Sequence, residues 1–223
     1  MPTEPTGRRP LKTREWPFFK NLAARLARGG ATPNGISFAS IVFGCCAGAA
    51  LAATAHFGGW LLRACWLGAA VFIQMRLIAN LLDGMVALEG RKGGPTGDLW
   101  NEAPDRISDA AIFIGAGYAA GSSPVLGFAA ALVAVFVAYV RSLGASVGAR
   151  QCFLGPQAKP QRMALTTGVC VLSAAVPLYP TTIGEQPLPA LALALWIVIA
   201  GGLFTAWRRM SFIADFLRKK SKP

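Results

Sequence analysis

Residues 80–87 read Asn80-Leu81-Leu82-Asp83-Gly84-Met85-Val86-Ala87, and residues 97–105 read Gly97-Asp98-Leu99-Trp100-Asn101-Glu102-Ala103-Pro104-Asp105. These two stretches place acidic and amide side chains at regular spacing in a strongly apolar chain. The 223 residues are 54% hydrophobic and 14% charged. Soluble domains carry about 25% charged residues, so this composition indicates a membrane protein. At about 20 residues per transmembrane helix, the chain has room for roughly six spans.

The apolar segments around the two stretches predict an all-α integral membrane protein with six transmembrane helices. The predicted spans cover residues 34–55, 60–90, 98–120, 124–147, 162–180 and 188–207. They form one transmembrane domain, residues 31–207. Residues 1–15 are rich in proline and arginine and are predicted to be a disordered basic tail. Residues 208–223 form a basic C-terminal tail whose apolar positions are compatible with a second interfacial helix.

Residues 16–30 are predicted to form an amphipathic helix at the membrane surface. Phe19, Leu22 and Leu26 fall on one helical face, and the basic side chains of the segment lie off that face. This division of apolar and cationic residues is typical of a helix that lies in the interface rather than across the bilayer.

The charge distribution predicts the orientation. The chain has 22 Lys and Arg against 10 Asp and Glu, a net charge of +12. With six spans, both termini and the loops after spans 2 and 4 share one side and, together with the adjoining parts of the spans, carry 20 of the 22 basic residues. Basic segments stay in the cytoplasm, so we expect both termini there. Given the apolar content, the anionic partner is a lipid surface and not nucleic acid.

Scarce residue types narrow the possible chemistry. The single histidine, His56, lies between the first two spans, which argues against mechanisms that need a nucleophilic or general-base histidine. None of the five cysteines shows metal-ligand spacing. Ionisable residues inside apolar helices are costly and are therefore functional candidates.

The polar residues of the second and third spans fall into two stripes. At about 100° per residue, each set below occupies one side of its helix. One stripe comprises Arg76, Asn80, Asp83 and Ala87, and the other Asp98, Asn101, Asp105 and Asp109. A short loop joins the two helices, so the stripes are expected to face each other at the cytoplasmic side. Carboxylate and amide oxygens in this arrangement suit Mg²⁺ or Mn²⁺ that bridges a diphosphate.

Small residues and a proline accompany the stripes. Gly84 and Gly97 would let a bulky ligand approach the backbone closely. Pro104 lacks a backbone N–H and is expected to bend its helix beside the stripe. Ordinary helix packing and a simple kink are the alternative interpretation of these residues.

The two stretches together resemble the signature of the CDP-alcohol phosphotransferases, which reads D-x2-D-G-x2-A-R and, after a short spacer, G-x3-D-x3-D. The spacing matches without a gap. Two weaker resemblances accompany it: Thr32-Pro33-Asn34 is similar to the family's T-P-N motif, and Arg141 with Lys159-Pro160-Gln161-Arg162 is similar to its basic phosphate pocket. The resemblance spans about residues 16–207 and is to a divergent bacterial branch of the family, which implies a bacterial cytoplasmic membrane with the active site facing the cytoplasm.

The resemblance implies a role for each matching position. The metal ligands would be Asn80, Asp83, Asn101 and Asp105, with Asp105 also the general base. The CDP moiety would contact Asp83, Gly84, Ala87 and Gly97. A phosphate or the acceptor would be bound by Arg76, Arg141, Lys159 and Arg162. Arg76 lies in an apolar span and therefore needs an anionic partner. That partner is either a carboxylate of the protein, in a structural ion pair, or a group of the substrate.

The chain departs from the signature at three positions. Asn80 and Asn101 replace the first and third aspartates, and Leu88 replaces the arginine. In the family, four aspartates hold two divalent metal ions, so two neutral amides are expected to weaken metal binding. The residues that could compensate are Asp98, Glu102 and Asp109.

The implied activity is transfer of a phosphatidyl group, or another substituted phosphate, from CDP-diacylglycerol or a similar CDP-linked lipid to the hydroxyl of a small polar alcohol. CMP is released, as in phospholipid biosynthesis, and a homodimer is expected from the family. The first alternative is a non-catalytic relative that binds CDP-lipid. The second is an intramembrane prenyltransferase that uses a Mg-diphosphate donor, and the third is a transporter. The sequence does not identify the acceptor alcohol.

Overall fold

The computed structural model describes residues 12–89, 97–149, 154–176 and 190–220, and these residues are helices and short connections. A short 3-10 helix, Lys12–Glu15, precedes α1 (Pro17–Arg28) and α2 (Pro33–Ala53). Then come α3 (Gly59–Glu89), α4 (Gly97–Gly117) and α5 (Pro124–Ser146). The last two helices are α6 (Lys159–Ala175) and α7 (Ala190–Lys220). The all-helical prediction is confirmed for the described residues.

Four helices, α2, α3, α5 and α7, are long and apolar enough to cross a membrane, which makes the chain an integral membrane protein. Helix α4 is also 21 residues long, but its first half carries the acidic stripe. The described part of α6 has 17 residues. The six-span count and the cytoplasmic termini stay predictions.

Helices α2 to α7 pack as a closed ring in the order α2, α4, α5, α7, α6, α3. The sequence neighbours α3 and α4 touch each other little, because α2 packs extensively against both of them. The apolar core of the ring includes Trp66, Ile73, Phe113 and Leu195, all of them buried. A polar site between α3 and α4 is therefore backed by α2 on one side.

The close approach of α2 to α4 depends on glycines. Gly48 in α2 faces Gly115 and the carbonyl of Ala111 in α4, and a Cβ atom on Gly48 or Gly115 would collide with backbone of the opposite helix. Gly44 meets Ser108 in the same way. Gly44 and Gly48 are four residues apart in α2, a spacing that is typical of closely packed membrane helices.

Helix α1 covers the end of α3 that carries the first signature stretch. Phe19, Leu22 and Leu26 pack against a cluster of α3 residues that comprises Leu81, Leu82, Met85 and Val86. The aromatic rings of Trp16 and Phe18 are mostly exposed. Helix α1 lies within the predicted segment 16–30 and packs its apolar side chains against α3, while an amphipathic helix at the membrane surface stays a prediction.

Helix α7 continues without a break through the segment that the sequence divided into a span and a tail. Ile213, beyond the end of the predicted sixth span, is buried and contacts Gly144 of α5. Arg209 of α7 donates hydrogen bonds to the carbonyls of Leu154 (3.0 Å) and Val137 (3.0 Å). The bond to Leu154 attaches the segment before α6 to α7, and the bond to Val137 joins α7 to α5.

Candidate active site

Arg76, in the apolar part of α3, is completely buried and faces two carboxylates of α4. Its Nη2 lies 2.9 Å from Asp105 Oδ1 and 2.6 Å from Asp109 Oδ1. A buried guanidinium is tolerated only when it is paired and hydrogen-bonded, and these two carboxylates provide the pairing. The polar stripes of α3 and α4 therefore meet, and Arg76 is held in a structural ion pair.

Asp105, the proposed base, accepts hydrogen bonds from three side chains. Besides Arg76, Asn80 Nδ2 donates to its Oδ1 at 2.7 Å, and Lys159 Nζ donates to its Oδ2 at 2.5 Å. Lys159 is the first residue of α6, so the carboxylate joins three helices. Both oxygens of Asp105 are engaged in this arrangement.

Asp109, one turn further along α4, is also doubly engaged. Its Oδ1 pairs with Arg76 and its Oδ2 pairs with Arg162 of α6. Asp109 and Arg162 are both almost fully buried. Asp109 thus holds two cationic side chains in place and leaves no oxygen free to replace a missing metal ligand.

Asp83 differs from the other two carboxylates because one of its oxygens is free. Ser37 of α2 donates a hydrogen bond to Asp83 Oδ2 at 2.8 Å. Asp83 Oδ1 is buried and has no hydrogen-bond partner among the described residues. Asp83 also lies within electrostatic range of Asp105 and Lys159. A buried, unsatisfied carboxylate oxygen is rare and indicates a position where a cation or a donor group can bind.

Ser37 is a site residue that the sequence reasoning missed. It lies one turn after Pro33, where Thr32 caps α2 by accepting the Gly35 N–H at 3.1 Å. The only sequence signal is a serine close to the Thr-Pro-Asn motif in an otherwise apolar span. Serine is a common small residue in such spans, so the signal is weak.

Glu102 and Arg141 form a separate pair at the more exposed edge of the site. Arg141 Nη2 lies 2.5 Å from both carboxylate oxygens of Glu102, and Arg106 pairs with the same carboxylate. Arg141 was predicted to bind phosphate together with Lys159 and Arg162. In the structure those two residues contact Asp105 and Asp109, while Arg141 contacts Glu102.

Lys159 is the cation best able to leave its partner. Its side chain is 25% exposed, whereas Arg76 is 0% exposed and Arg162 is 6% exposed. Lys159 precedes the predicted fifth span. Desolvation by burial lowers the pKa of its ammonium group to about 8. The Asp105 carboxylate opposes this effect by favouring the charged form.

The predicted metal ligands are only partly described. Asn80, Asp83 and Asp105 lie together, while the side chains of Asn101 and Asp98 and the loop 90–96 lie outside the described residues. Gly84 and Ala87 are partly buried on the α3 stripe, and Gly97 begins α4. Within the described ranges, no three His, Cys, Asp or Glu side chains converge as a metal site. The donors present fit one divalent cation at Asp83, where an oxygen is free.

The architecture and site geometry define a class of protein, a helical membrane bundle with a buried carboxylate and cation cluster between α3, α4 and α6. No family profile and no curated protein sequence matches the chain. Its fold is that of a CDP-alcohol phosphatidyltransferase, and this agrees with the resemblance seen in the sequence.

Solved structures similar to this chain include three of phosphatidylinositol phosphate synthase (PgsA1) from Mycobacterium tuberculosis. The structure with CDP-DAG bound has a TM-score of 0.67 and 18% identity, and covers 87% of this chain and 92% of that chain. The complex with manganese and citrate has a TM-score of 0.68 and 19% identity, with 87% and 88% covered. The apo form has a TM-score of 0.66 and 20% identity, with 86% and 94% covered. At these identities the likeness establishes the fold.

Proposed function

We propose that this chain is a membrane transferase that moves a phosphatidyl group from CDP-diacylglycerol, or a closely related CDP-linked lipid, to the hydroxyl of a small polar alcohol and releases CMP. The observation that carries the proposal is the contact between the two signature stretches. Asn80 and Asp105 occupy matching signature positions and are hydrogen-bonded at 2.7 Å in a chain with this fold. A PgsA1 structure with the same fold contains CDP-DAG.

The proposed substrate position lies along the two helices that carry the signature stretches, α3 and α4. The CDP moiety would lie along the α3 and α4 stripes, where Gly84, Ala87 and Gly97 leave room near the backbone. Its acyl chains would extend into the bilayer. The proposal places this site at the cytoplasmic side of the membrane, where the sequence concentrates basic residues.

A divalent metal is part of the proposal, since a PgsA1 structure holds manganese. Mg²⁺ or Mn²⁺, when bound, would neutralise the diphosphate and stabilise the charge of the departing CMP. Asp83 would hold it through its free oxygen, with Asn80, Asn101 and Asp105 as the further ligand candidates.

Proton transfer is assigned to Asp105. The acceptor hydroxyl would give its proton to an Asp105 carboxylate oxygen as it attacks the lipid-linked phosphorus. Lys159 must first release that oxygen. Its partial exposure permits this movement, and a phosphate of the donor or acceptor offers it a new anionic partner. Arg76 and Arg162 stay paired with Asp109 and supply fixed positive charge beside the reacting phosphate.

One observation favours a second candidate function, a non-catalytic relative that binds CDP-lipid. Both oxygens of Asp105 accept hydrogen bonds, and two of the three donors are cationic, so both oxygens are occupied in the arrangement described here. If Lys159 never releases Asp105, the chain would bind CDP-lipid without turnover.

The test is CMP release by purified protein in detergent. CDP-diacylglycerol is supplied with Mg²⁺ or Mn²⁺ and a panel of acceptors: glycerol 3-phosphate, inositol, inositol phosphate, serine and sugar alcohols. We expect release that depends on one acceptor and disappears with EDTA. Isoprenyl diphosphate is included as a donor, because its use would support the prenyltransferase alternative.

Asp105→Asn serves as the inactive variant, and Asp215→Asn, at an exposed position of α7, serves as its matched control. We expect Asp105→Asn to lose turnover while the protein stays folded, and Asp215→Asn to retain it. Full activity of Asp105→Asn would reject the base assignment. CDP-lipid binding without CMP release from any acceptor would favour the non-catalytic relative.

A further inference from the structure

Positive and negative side chains are balanced in the candidate site. Three buried or half-buried carboxylates face three cationic side chains, with no net charge among them. The carboxylates are Asp83, Asp105 and Asp109, and the cations are Arg76, Lys159 and Arg162. A cluster of carboxylates normally needs bound cations to offset its repulsion, and here the chain itself supplies them.

The pairing is uneven among the carboxylates. Asp105 and Asp109 have both oxygens engaged by cationic groups, whereas the one side chain among the described residues that donates a hydrogen bond to Asp83 is the neutral hydroxyl of Ser37. Asp83 is 5% exposed, and its Oδ1 is buried without a partner. Among the described carboxylates, Asp83 is therefore the one with an oxygen available to a cation, whereas an ammonium and a guanidinium already lie beside Asp105.

Asn80 contributes to the same arrangement. Its amide N–H donates to Asp105, so this side chain stabilises the Asp105 carboxylate in the way that a cation would, but more weakly. An aspartate at position 80 would repel Asp105 instead. The neutral residue at this position is thus matched to the presence of Arg76 and Lys159.

We propose that Arg76 and Lys159 take the place of a divalent cation at Asp105, so that this chain binds a single divalent cation, at Asp83, and binds it as a complex with the donor diphosphate. The inference rests on the proposed function. Mg²⁺ is commonly held by one or two protein carboxylates together with substrate phosphates. Among the described carboxylates of the site, one oxygen, Asp83 Oδ1, is without a partner. Bound without diphosphate, the ion would have too few anionic ligands and would remain weakly held.

The experiment counts bound Mn²⁺ by electron paramagnetic resonance on the full chain in nanodiscs. Nanodiscs with and without CDP-diacylglycerol are compared, and protein-free nanodiscs of the same lipid composition give the blank. We expect one Mn²⁺ ion per chain in the presence of the CDP-lipid. Without it, we expect binding to be weaker by about tenfold or more, because the diphosphate charge is missing. Two ions per chain, or equal affinity with and without CDP-lipid, would overturn the inference.

The variant Lys159→Met tests whether the Lys159 ammonium occupies the place of a cation at Asp105. A matched variant that loses a lysine elsewhere controls for the change in net charge. Removal of the ammonium frees an Asp105 oxygen, so Mn²⁺ binding without CDP-lipid should become about tenfold tighter. Lys219→Met, at the exposed end of α7, should leave it unchanged. If Lys159→Met does not fold, Lys159→Gln keeps the length and polarity of the side chain and should show the same direction of change. Unchanged Mn²⁺ affinity in a folded Lys159 variant would contradict the inference.

Binding of radiolabelled CDP-diacylglycerol is measured on the same samples. Measurable CDP-lipid binding that carries two Mn²⁺ ions would overturn the single-cation inference and leave the proposed function standing. A complete absence of CDP-lipid binding at saturating Mn²⁺ would overturn both.

Discussion

Asp109 is the residue at which the buried ion pairs of the three site helices converge. It pairs with Arg76 from α3 and with Arg162 from α6, and neither arginine has solvent available to replace it. We expect Asp109→Asn to reduce the stability of the folded protein by about 3–5 kcal/mol, because two buried guanidinium groups lose an anionic partner. Thermal unfolding in detergent, followed by circular dichroism, measures the effect.

The control for this prediction is Asp215→Asn. Asp215 pairs with Arg218 at 3.4 Å, and both side chains are mostly exposed. Exposed ion pairs contribute about 0–1 kcal/mol, so the melting temperature of this variant should stay close to that of the wild type. Equal melting temperatures for the two variants would show that Asp109 is not a structural anchor.

Restoring the signature aspartates should strengthen metal binding. The double variant Asn80→Asp with Asn101→Asp adds two anionic groups near Asp83, and each would attract a divalent ion more strongly than an amide does. We expect a lower Mg²⁺ concentration at half-saturation in isothermal titration calorimetry, by about tenfold or more. An unchanged titration curve would mean that other residues hold the metal.

At the scale of single residues, the sequence showed which side chains require a partner, but it did not show which residue that partner is. It predicted that Arg76 requires an anion, because an unpaired guanidinium is too costly in an apolar span. It did not show that Asp109 is the shared partner, since helical periodicity gives a face and not a contact. Ser37 had no distinctive pattern at all. The signature spacing was specific because it fixes several residue types at once.

The contact between α2 and α4 is the element-scale feature on which the site depends. Gly48→Ala places a methyl group against the Ala111 carbonyl, and the two helices must separate. We expect a loss of about 1–3 kcal/mol, since forcing extra atoms into a well-packed interface costs that much. Gly68→Ala, in α3, is the control because a Cβ atom there meets nothing within 4 Å.

Thermal unfolding and CMP release are measured for both glycine variants. Gly68→Ala should be neutral or slightly stabilising, because alanine favours a helix over glycine by up to about 1 kcal/mol. Gly48→Ala should lose activity along with stability, because α2 carries Ser37, which binds Asp83. A Gly48→Ala protein as stable as Gly68→Ala would contradict the close-packing argument.

The sequence predicted the ends of helices where capping residues, proline or glycine mark them, and it failed where these residues are missing. Thr32 and Pro33 define the start of α2, and both are favoured at a helix N-terminus. The end predicted near residue 207 was not matched by a helix end, because α7 has no glycine or proline after Gly202 and continues to Lys220. Charge alone suggested a tail there, but the buried Ile213 keeps this segment packed against α5.

At the scale of the whole molecule, the order of helices in the ring could not be read from the sequence. A short loop between α3 and α4 suggested direct neighbours, and their polar stripes do meet. However, α2 packs against both helices, because its glycines allow an approach that side chains would prevent. Hydrophobicity specifies which segments enter the membrane, whereas the shapes of the helix surfaces decide which segments pack together.

The distribution of basic residues along the chain predicts how the whole molecule is oriented in the membrane. In a six-span topology, 20 of the 22 Lys and Arg lie on one side, and moving them across the membrane would be strongly unfavourable. The connection between α2 and α3, which contains His56, would then face the opposite side from the C-terminal end of α7. Both positions are exposed, so each can be probed by labelling.

The measurement uses single cysteines in a chain whose five native cysteines are replaced by alanine. In intact cells, a membrane-impermeant maleimide should label His56→Cys and not Lys219→Cys, and inverted vesicles should show the opposite pattern. Labelling of both positions from the same side would mean an even number of spans between them and would contradict the six-span topology. Since α3 brings the signature stretch to its C-terminal end, labelling of His56→Cys from outside would place Asp83, and with it the proposed diphosphate site, at the cytoplasmic side.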